Sequence, residues 1–154
     1  MLYAIVLNVH SWWRWVVIIL ALTLLVRAIR GLRTDEPWGA LDNKLARAFA
    51  GSVDLQVTLG LLMLFFLSPI TTTAIRNMGE AMKDTQLRFF TVEHTTVMIL
   101  AAVAAHVSVA RARKASSGRH AHRRMAIGVA VFVALIAIGI PWPGLSHGRA
   151  LFRF

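Results

Sequence analysis

Four apolar stretches, each long enough to cross a bilayer, restrict what this chain can fold into. They lie at about 3–28, 45–68, 87–111 and 123–140. About 20 apolar residues cross the hydrocarbon core as a helix, and only helices and closed barrels satisfy all backbone hydrogen bonds there. The sequence therefore predicts an all-α fold: an integral membrane, antiparallel four-helix bundle forming one transmembrane domain over residues 1–154.

The composition supports a membrane location and narrows the chemistry. Hydrophobic residues make up 57% of the chain and charged residues 16%, which is too apolar a balance for a typical soluble domain. Cysteine is absent. This excludes disulfides, iron–sulfur clusters and c-type haem, so that any metal would be held by His, Met or carboxylate. Neither a nucleophile–base constellation nor a phosphate loop appears, which disfavours a hydrolase or a kinase.

The basic residues predict the orientation of the bundle. The formal charge is +10, and 11 of the 17 Lys and Arg residues fall in the loops between spans one and two and between spans three and four. Basic residues accumulate in cytoplasmic loops, so we interpret the charge as topology rather than as a nucleic-acid interface. We expect a multi-pass protein of the bacterial inner (cytoplasmic) membrane, with both termini on the periplasmic or outer side.

Local signals predict where the spans begin and end. Asp42-Asn43 offers an N-cap for the second span, Ser68-Pro69 ends it, and Pro141 ends the fourth. Between spans two and three, apolar and charged residues alternate in a helical rhythm over 74–87. We expect this segment to be a short amphipathic helix lying on the outer surface of the bundle.

Two histidines occupy the same predicted depth in different spans. His10 follows the start of span one by eight residues and His94 follows Leu87 by seven, which places both roughly 10–12 Å below the outer helix ends. Paired imidazoles on different helices are the arrangement that a six-coordinate b-type haem requires. Arg14, one turn below His10, is a candidate partner for a haem propionate or for Glu93.

A second pair of polar residues lies deeper in the spans. Asp54 and His106 share a similar depth, and we expect them to form a hydrogen-bonded pair that serves helix packing or, alternatively, a proton relay. A second haem is not expected at His106, because Thr23 stands where span one would need a partner histidine.

Other side chains offer alternatives of lower weight. Met63 and Met98 lie near enough in depth to the histidine pair that either is an alternative axial ligand, although packing is the commoner role of methionine. His120 and His122 in the basic loop, and His147 in the tail, are expected to be solvated surface.

Several motifs resemble a known family. They are His10-Ser11-x-x-Arg14-Trp15, Asp42-Asn43-Lys44, Gln56-x-x-x-Gly60-Leu61, the block from Met78-Gly79-x-Ala81-Met82-Lys83-Asp84 to Val92-Glu93-His94, and Ile140-Pro141-Trp142-Pro143. Together they resemble a family of short four-span bacterial membrane proteins that genomes label cytochrome b-like. The resemblance covers nearly the whole chain except for a longer tail, 144–154, and it implies His10 and His94 as haem ligands.

These observations leave three functions open. The first is a haem b protein for electron transfer, acting alone or as a small subunit of a respiratory or redox complex, with His10 and His94 on the iron and with Arg14 and Glu93 nearby. The second is a cofactor-free structural or assembly subunit, and the third is a proton or small-ion conduit through Glu93, His94, Asp54 and His106. The lipid bilayer is the expected partner in all three; a homodimer and a quinone are further candidates. An electron-transfer or accessory subunit is favoured over a stand-alone enzyme.

Overall fold

The computed structural model describes residues 1–152 and is helical over most of that length. The helices are α1 Leu2–Thr34, α2 Ala40–Leu62, α3 Pro69–Arg76, α4 Met78–Ala81, α5 Thr85–Arg88, α6 His94–Arg113 and α7 Gly118–Gly139. Two π-helical turns join them: Met63–Leu67 continues α2, and Phe89–Glu93 leads from α5 into α6. No strand occurs within residues 1–152, so the predicted all-α class is confirmed.

Four of these elements are long and apolar enough to cross a membrane: α1, α2 with its π-turn, α6 with the two turns before it, and α7. They pack in a ring in which α1 contacts α2, α2 contacts α6, α6 contacts α7 and α7 contacts α1. Helices α1 and α6 therefore lie diagonally across the bundle. We call the end with the loops 35–39 and 114–117 the basic end, and the end with residues 140–152 the tail end.

The bundle buries a core of small and large side chains and leaves much apolar surface exposed. Phe49 of α2 packs edge-on against Phe132 of α7, with ring centroids 5.0 Å apart, and Ala21 and Ala105 are fully buried between helices. Many large apolar side chains are exposed along the outer faces of the four helices. Such faces are expected where lipid rather than water surrounds the helices. The structure thus describes a multi-pass membrane protein.

Helix ends at the basic end differ from the sequence prediction. Helix α1 continues past Arg27 and Arg30 to Thr34, and α2 begins after Gly39 instead of being capped by Asp42 or Asn43. Asp42 lies one turn inside the helix, where Oδ2 accepts a hydrogen bond from the backbone N–H of Gly39 at 3.0 Å. The same carboxylate accepts two hydrogen bonds from Arg27, at 3.1 and 3.2 Å. Asp42 therefore joins the end of α1 to the start of α2.

Replacing Asp42 with alanine is expected to lower the free energy of unfolding by about 2 kcal/mol, because the helix start loses its cap and the guanidinium loses its acceptor. Glu36→Ala is the matched control: Glu36, in the loop between α1 and α2, pairs with Arg30 and lies 3.9 Å from Arg27, but it is part-exposed, and exposed pairs contribute about 1 kcal/mol or less. Unfolding in detergent followed by circular dichroism measures both. Equal losses in the two variants would contradict this role of Asp42.

The segment between spans two and three, at the tail end, is helical but not one helix over 74–87. Ser68 caps α3, Asn77 caps α4 and Asp84 caps α5, each side chain accepting a hydrogen bond from a backbone N–H of the first turn. Ser, Asn and Asp are all favoured at the N-cap position, so these three residues divide the segment into three short helices. The amphipathic character is thus carried by α3, α4 and α5 in succession.

The prediction for His122 was wrong, since its side chain is fully buried rather than solvated. Helix α7 begins at Gly118, about five residues earlier than expected, and carries the imidazole into the basic end of the core. There the ring packs edge-on against Trp38, with centroids 5.1 Å apart, and against Gly31, where a Cβ would lie 2.4 Å from the ring. Gly31 therefore makes room for the imidazole.

Candidate ligand site at the tail end of the bundle

A cavity of about 180 Å³ opens between the diagonal helices α1 and α6, near the tail end. Both histidines of the predicted pair line it, His10 from α1 and His94 from α6. The equal depth deduced from the sequence thus corresponds to a shared space. The polar and sulfur-bearing lining residues are Tyr3, His10, Ser11, Arg14, Gln56, Met63, Ser68, Thr71, His94, Thr95, Met98 and Arg149.

The His94 ring is oriented by the end of α7. Its Nδ1 lies 2.7 Å from the carbonyl oxygen of Gly139, so Nδ1–H donates and Nε2 is the nitrogen left with a lone pair. That carbonyl needs a partner from outside its helix, because the residue four positions later is Pro143, which has no N–H. Gly139 also allows α7 to approach α6: a Cβ there would lie 2.2 Å from Met98 Cε. Pro143 thereby leaves the Gly139 carbonyl oxygen available to accept from His94 and to orient its ring.

His10 is held by α2. The side-chain amide of Gln56 donates to the His10 carbonyl oxygen at 3.1 Å and lies 3.3 Å from His10 Nε2. Gly60, one turn further along α2, leaves space for the ring, since a Cβ there would lie 3.4 Å from His10 Cε1. Within residues 1–152, neither His10 Nδ1 nor Gln56 Oε1 has a hydrogen-bond partner, although both are buried. Buried polar atoms of this kind indicate that a ligand or water completes the site.

The tail closes the cavity and adds a second guanidinium group. Arg149 lines the cavity together with Arg14, and it is positioned by hydrogen bonds from its backbone N–H to Pro141 and from Nη2 to Gln86, at 3.0 and 2.8 Å. Arg14 Nη2 in turn donates to the carbonyl oxygen of Leu151 at 2.7 Å. The tail is therefore fastened to α1, α5 and the end of α7, across the cavity.

Aromatic contacts reinforce this closure. The His147 ring stacks on Phe89 with centroids 3.6 Å apart and planes 17° apart, and Phe152 stacks on Trp15 at 5.4 Å. His147, expected as solvated surface, is instead half-buried in this stack. The reason is that the tail folds back over the π-turn before α6.

Glu93 does not join the cavity, contrary to its grouping with the cofactor-binding residues. Its carboxylate accepts a hydrogen bond from Arg88 at 2.7 Å and its side chain is 47% exposed. Glu93 is the last residue of the π-turn, which holds one more residue per turn than an α-helix and so rotates neighbouring side chains out of the α-helical register. It therefore points to the surface while His94 points inward.

Asp54 and His106 form the predicted pair, with Oδ1 and Nε2 2.7 Å apart. The pair lies on the lipid-facing surface between α2 and α6, outside the cavity. With Glu93 paired to Arg88 on another surface, the four residues considered for a proton conduit do not form one connected chain.

Gln56 and Arg149 line the cavity, although the sequence did not single them out as site residues. Gln56 belongs to a motif that was quoted for the family resemblance, but its contact with His10 depends on the rotation of α2 about its axis, which spacing alone does not determine. Arg149 had a weaker signal: it is one of few basic residues on the side opposite the basic loops.

The potential metal ligands in the cavity suit a metal that a cofactor already coordinates through most of its positions. No group of three or more His, Asp or Glu side chains that could hold a bare metal ion occurs in the described part of the chain. Haem iron needs only two axial ligands. The cavity offers two imidazoles, one of them oriented by a backbone carbonyl and the other with an unpartnered buried nitrogen. It also offers two guanidinium groups, which suit carboxylates. This set of side chains is consistent with haem. Met63 and Met98 also line the cavity.

Comparison of the chain with protein-family models, with curated proteins and with solved structures finds no match.

Proposed function

We propose that this protein binds one b-type haem between His10 and His94 and transfers electrons within a membrane, alone or as a small subunit of a larger redox complex. The observation that carries the proposal is that the two histidines, 84 residues apart, line one cavity from diagonal helices. Haem iron would supply one-electron redox chemistry at this site.

Each histidine has a defined role in this proposal. His94 donates Nδ1–H to Gly139, the arrangement that fixes the tautomer of a ligating imidazole and raises the basicity of its other nitrogen. His10 would present the second imidazole, and the orphan atoms at His10 and Gln56 support the presence of a ligand there. Arg14 and Arg149 would bind the two propionate groups.

The closed cavity is smaller than the roughly 300–1,000 Å³ typical of small-molecule sites. A macrocycle therefore requires displacement of part of the lining. The tail is held by few backbone hydrogen bonds, and it carries Arg149 and Ala150 at the cavity. We expect the tail to lift and to close again over the propionate edge, with Arg149 moving with it.

The direct test is the absorption spectrum of the protein purified in mild detergent after expression with added haem precursor. A b-type α-band after dithionite reduction, with about one haem per chain, is expected. A colourless protein with intact helical circular dichroism, even after incubation with haemin, would contradict the proposal and favour the cofactor-free structural subunit.

The proposed location is the bacterial inner membrane with both termini outside, which puts the histidine cavity near the outer surface. The basis is the excess of Lys and Arg in the two loops at the basic end. Alkaline phosphatase fused to the C-terminus should be active, and green fluorescent protein at the same position should stay dark. The reverse pattern would invert the orientation, and fusions in the loop 114–117 supply the control.

A further inference from the structure

The lipid-facing surface between α2 and α6 carries a polar pair that links the two helices and yet remains largely exposed. The Asp54 side chain is 63% exposed and the His106 side chain 48% exposed. Arg47 and Arg111, the nearest basic residues on the same helices, lie roughly 10 and 7 Å nearer the basic end, so the pair faces the hydrocarbon region. Exposed ionisable groups are costly there and mark functional sites. A polar partner is therefore expected to cover them.

The pair sits in a groove rather than on a flat face. The groove has a volume of about 410 Å³ and is flanked by apolar side chains, among them Val57, Val103 and Val107. The ring of His106 bonds to Asp54 through Nε2. When that nitrogen donates, Nδ1 of the neutral ring and Oδ2 of Asp54 both remain as acceptors, and neither has a partner in residues 1–152. The groove thus offers two hydrogen-bond acceptors among mostly apolar side chains.

The groove and the histidine cavity share a wall. Val57 of α2 and Ile99 of α6 line both spaces. A ring bound at the groove would therefore lie one layer of side chains from the cavity.

From these features we infer that the groove binds the ring of a membrane-dissolved hydroquinone. Its hydroxyl group would donate a hydrogen bond to the acceptors of the Asp54–His106 pair, its ring would occupy the apolar groove, and its isoprenoid tail would remain in the lipid. A second copy of this chain would also cover the pair, and the oligomeric state of the Asp54→Asn variant distinguishes that case. Binding at the groove requires no haem, so this inference stands apart from the proposed function.

The test measures binding of decylubiquinol and of decylubiquinone, under argon, to the protein in nanodiscs by isothermal titration calorimetry, with empty nanodiscs subtracted for partitioning. The wild type should bind the reduced form about tenfold more tightly than the oxidised form, since the latter cannot donate. Dodecanol, an aliphatic alcohol, should bind no more than it does to empty nanodiscs. Protein prepared without haem should give the same result.

Two variants address the groove by independent means. Asp54→Asn should remove the preference for the reduced form, because the amide replaces an acceptor by a donor. Val103→Trp should block binding of both forms by filling the groove from its exposed side, with the pair intact. Thr96→Val, which changes an exposed polar residue of α6 outside the groove, should bind as the wild type does.

Three outcomes overturn the inference. The first is wild-type protein that binds neither form. The second is unchanged affinity and preference in both Asp54→Asn and Val103→Trp. The third is a wild-type dimer that Asp54→Asn converts to a monomer without any effect of decylubiquinol, which would assign the pair to contact between two copies of the chain.

Discussion

Replacing His94 with alanine is expected to abolish the low-spin b-type spectrum, and His10→Ala is expected to do the same. In the proposed site each variant would remove one of the two axial ligands, so the iron would become high-spin and the haem content would fall by at least about tenfold, since even partners of a ligand are often worth 10–100-fold in affinity. The fixed tautomer of His94, whose Nδ1 is bonded to Gly139, makes it the more sensitive position. Spectra of the oxidised and reduced proteins and a haem assay give both quantities.

The chain supplies close controls for this experiment. His106→Ala removes an imidazole from α6 outside the cavity and should leave the haem spectrum unchanged. Met63→Leu and Met98→Leu keep the size of cavity side chains and should also retain it, whereas loss in either would identify a methionine as the ligand. Haem retained in both His10→Ala and His94→Ala would mean that the proposed ligands are wrong.

Gly128→Ala is expected to destabilise the bundle by about 3 kcal/mol, because α6 and α7 meet too closely to admit a methyl group. A Cβ at Gly128 would lie 2.1 Å from Ser108 Cβ and 3.1 Å from its Cα. Ser108 is 2% exposed, and rotation of its side chain would not relieve the contact, because the backbone sets the position of its Cβ. Relief needs a shift of backbone, and overpacking of this kind costs 1–3 kcal/mol or more.

Gly51→Ala is the matched control, since it adds the same methyl group to α2 where nothing lies within 4 Å. Its stability should stay within about 1 kcal/mol of the wild type. Adding Ser108→Gly to Gly128→Ala should restore most of the loss, which a double-mutant cycle would show as coupling. Unfolding in detergent, followed by circular dichroism, measures the wild type, Gly51→Ala, the two single variants of the cycle and the double variant. Independent, additive effects would contradict the close approach.

The fold and the depth of the histidine pair followed from the sequence for one physical reason: in a bilayer, hydrophobic length fixes each span. Helices α1 and α6 run in the same direction, so counting residues from equivalent ends gave His10 and His94 the same depth. The rotation of a helix about its axis is not fixed by length. It depends on packing, which is why Gln56 was missed and why the exposure of Asp54 to lipid was not anticipated.

Irregular backbone accounts for the remaining differences. The π-turn before α6 moved Glu93 to the surface, and the early start of α7 buried His122. Neither event changes the hydropathy pattern. The tail contains almost no regular structure, and its contacts with Phe89, Gln86 and Arg14 join residues at least 58 positions apart, a separation over which periodicity carries no information.

The position of the tail also bears on how the protein is assembled. Residues 144–152 follow the fourth span along the chain, so they leave the ribosome after all the segments that form the cavity walls. Until the tail is synthesised, it cannot cover the opening between α1 and α6, and Arg14 cannot donate to Leu151. If the proposed haem enters at that stage, docking of the tail would retain it, and its release would be far slower than its first capture.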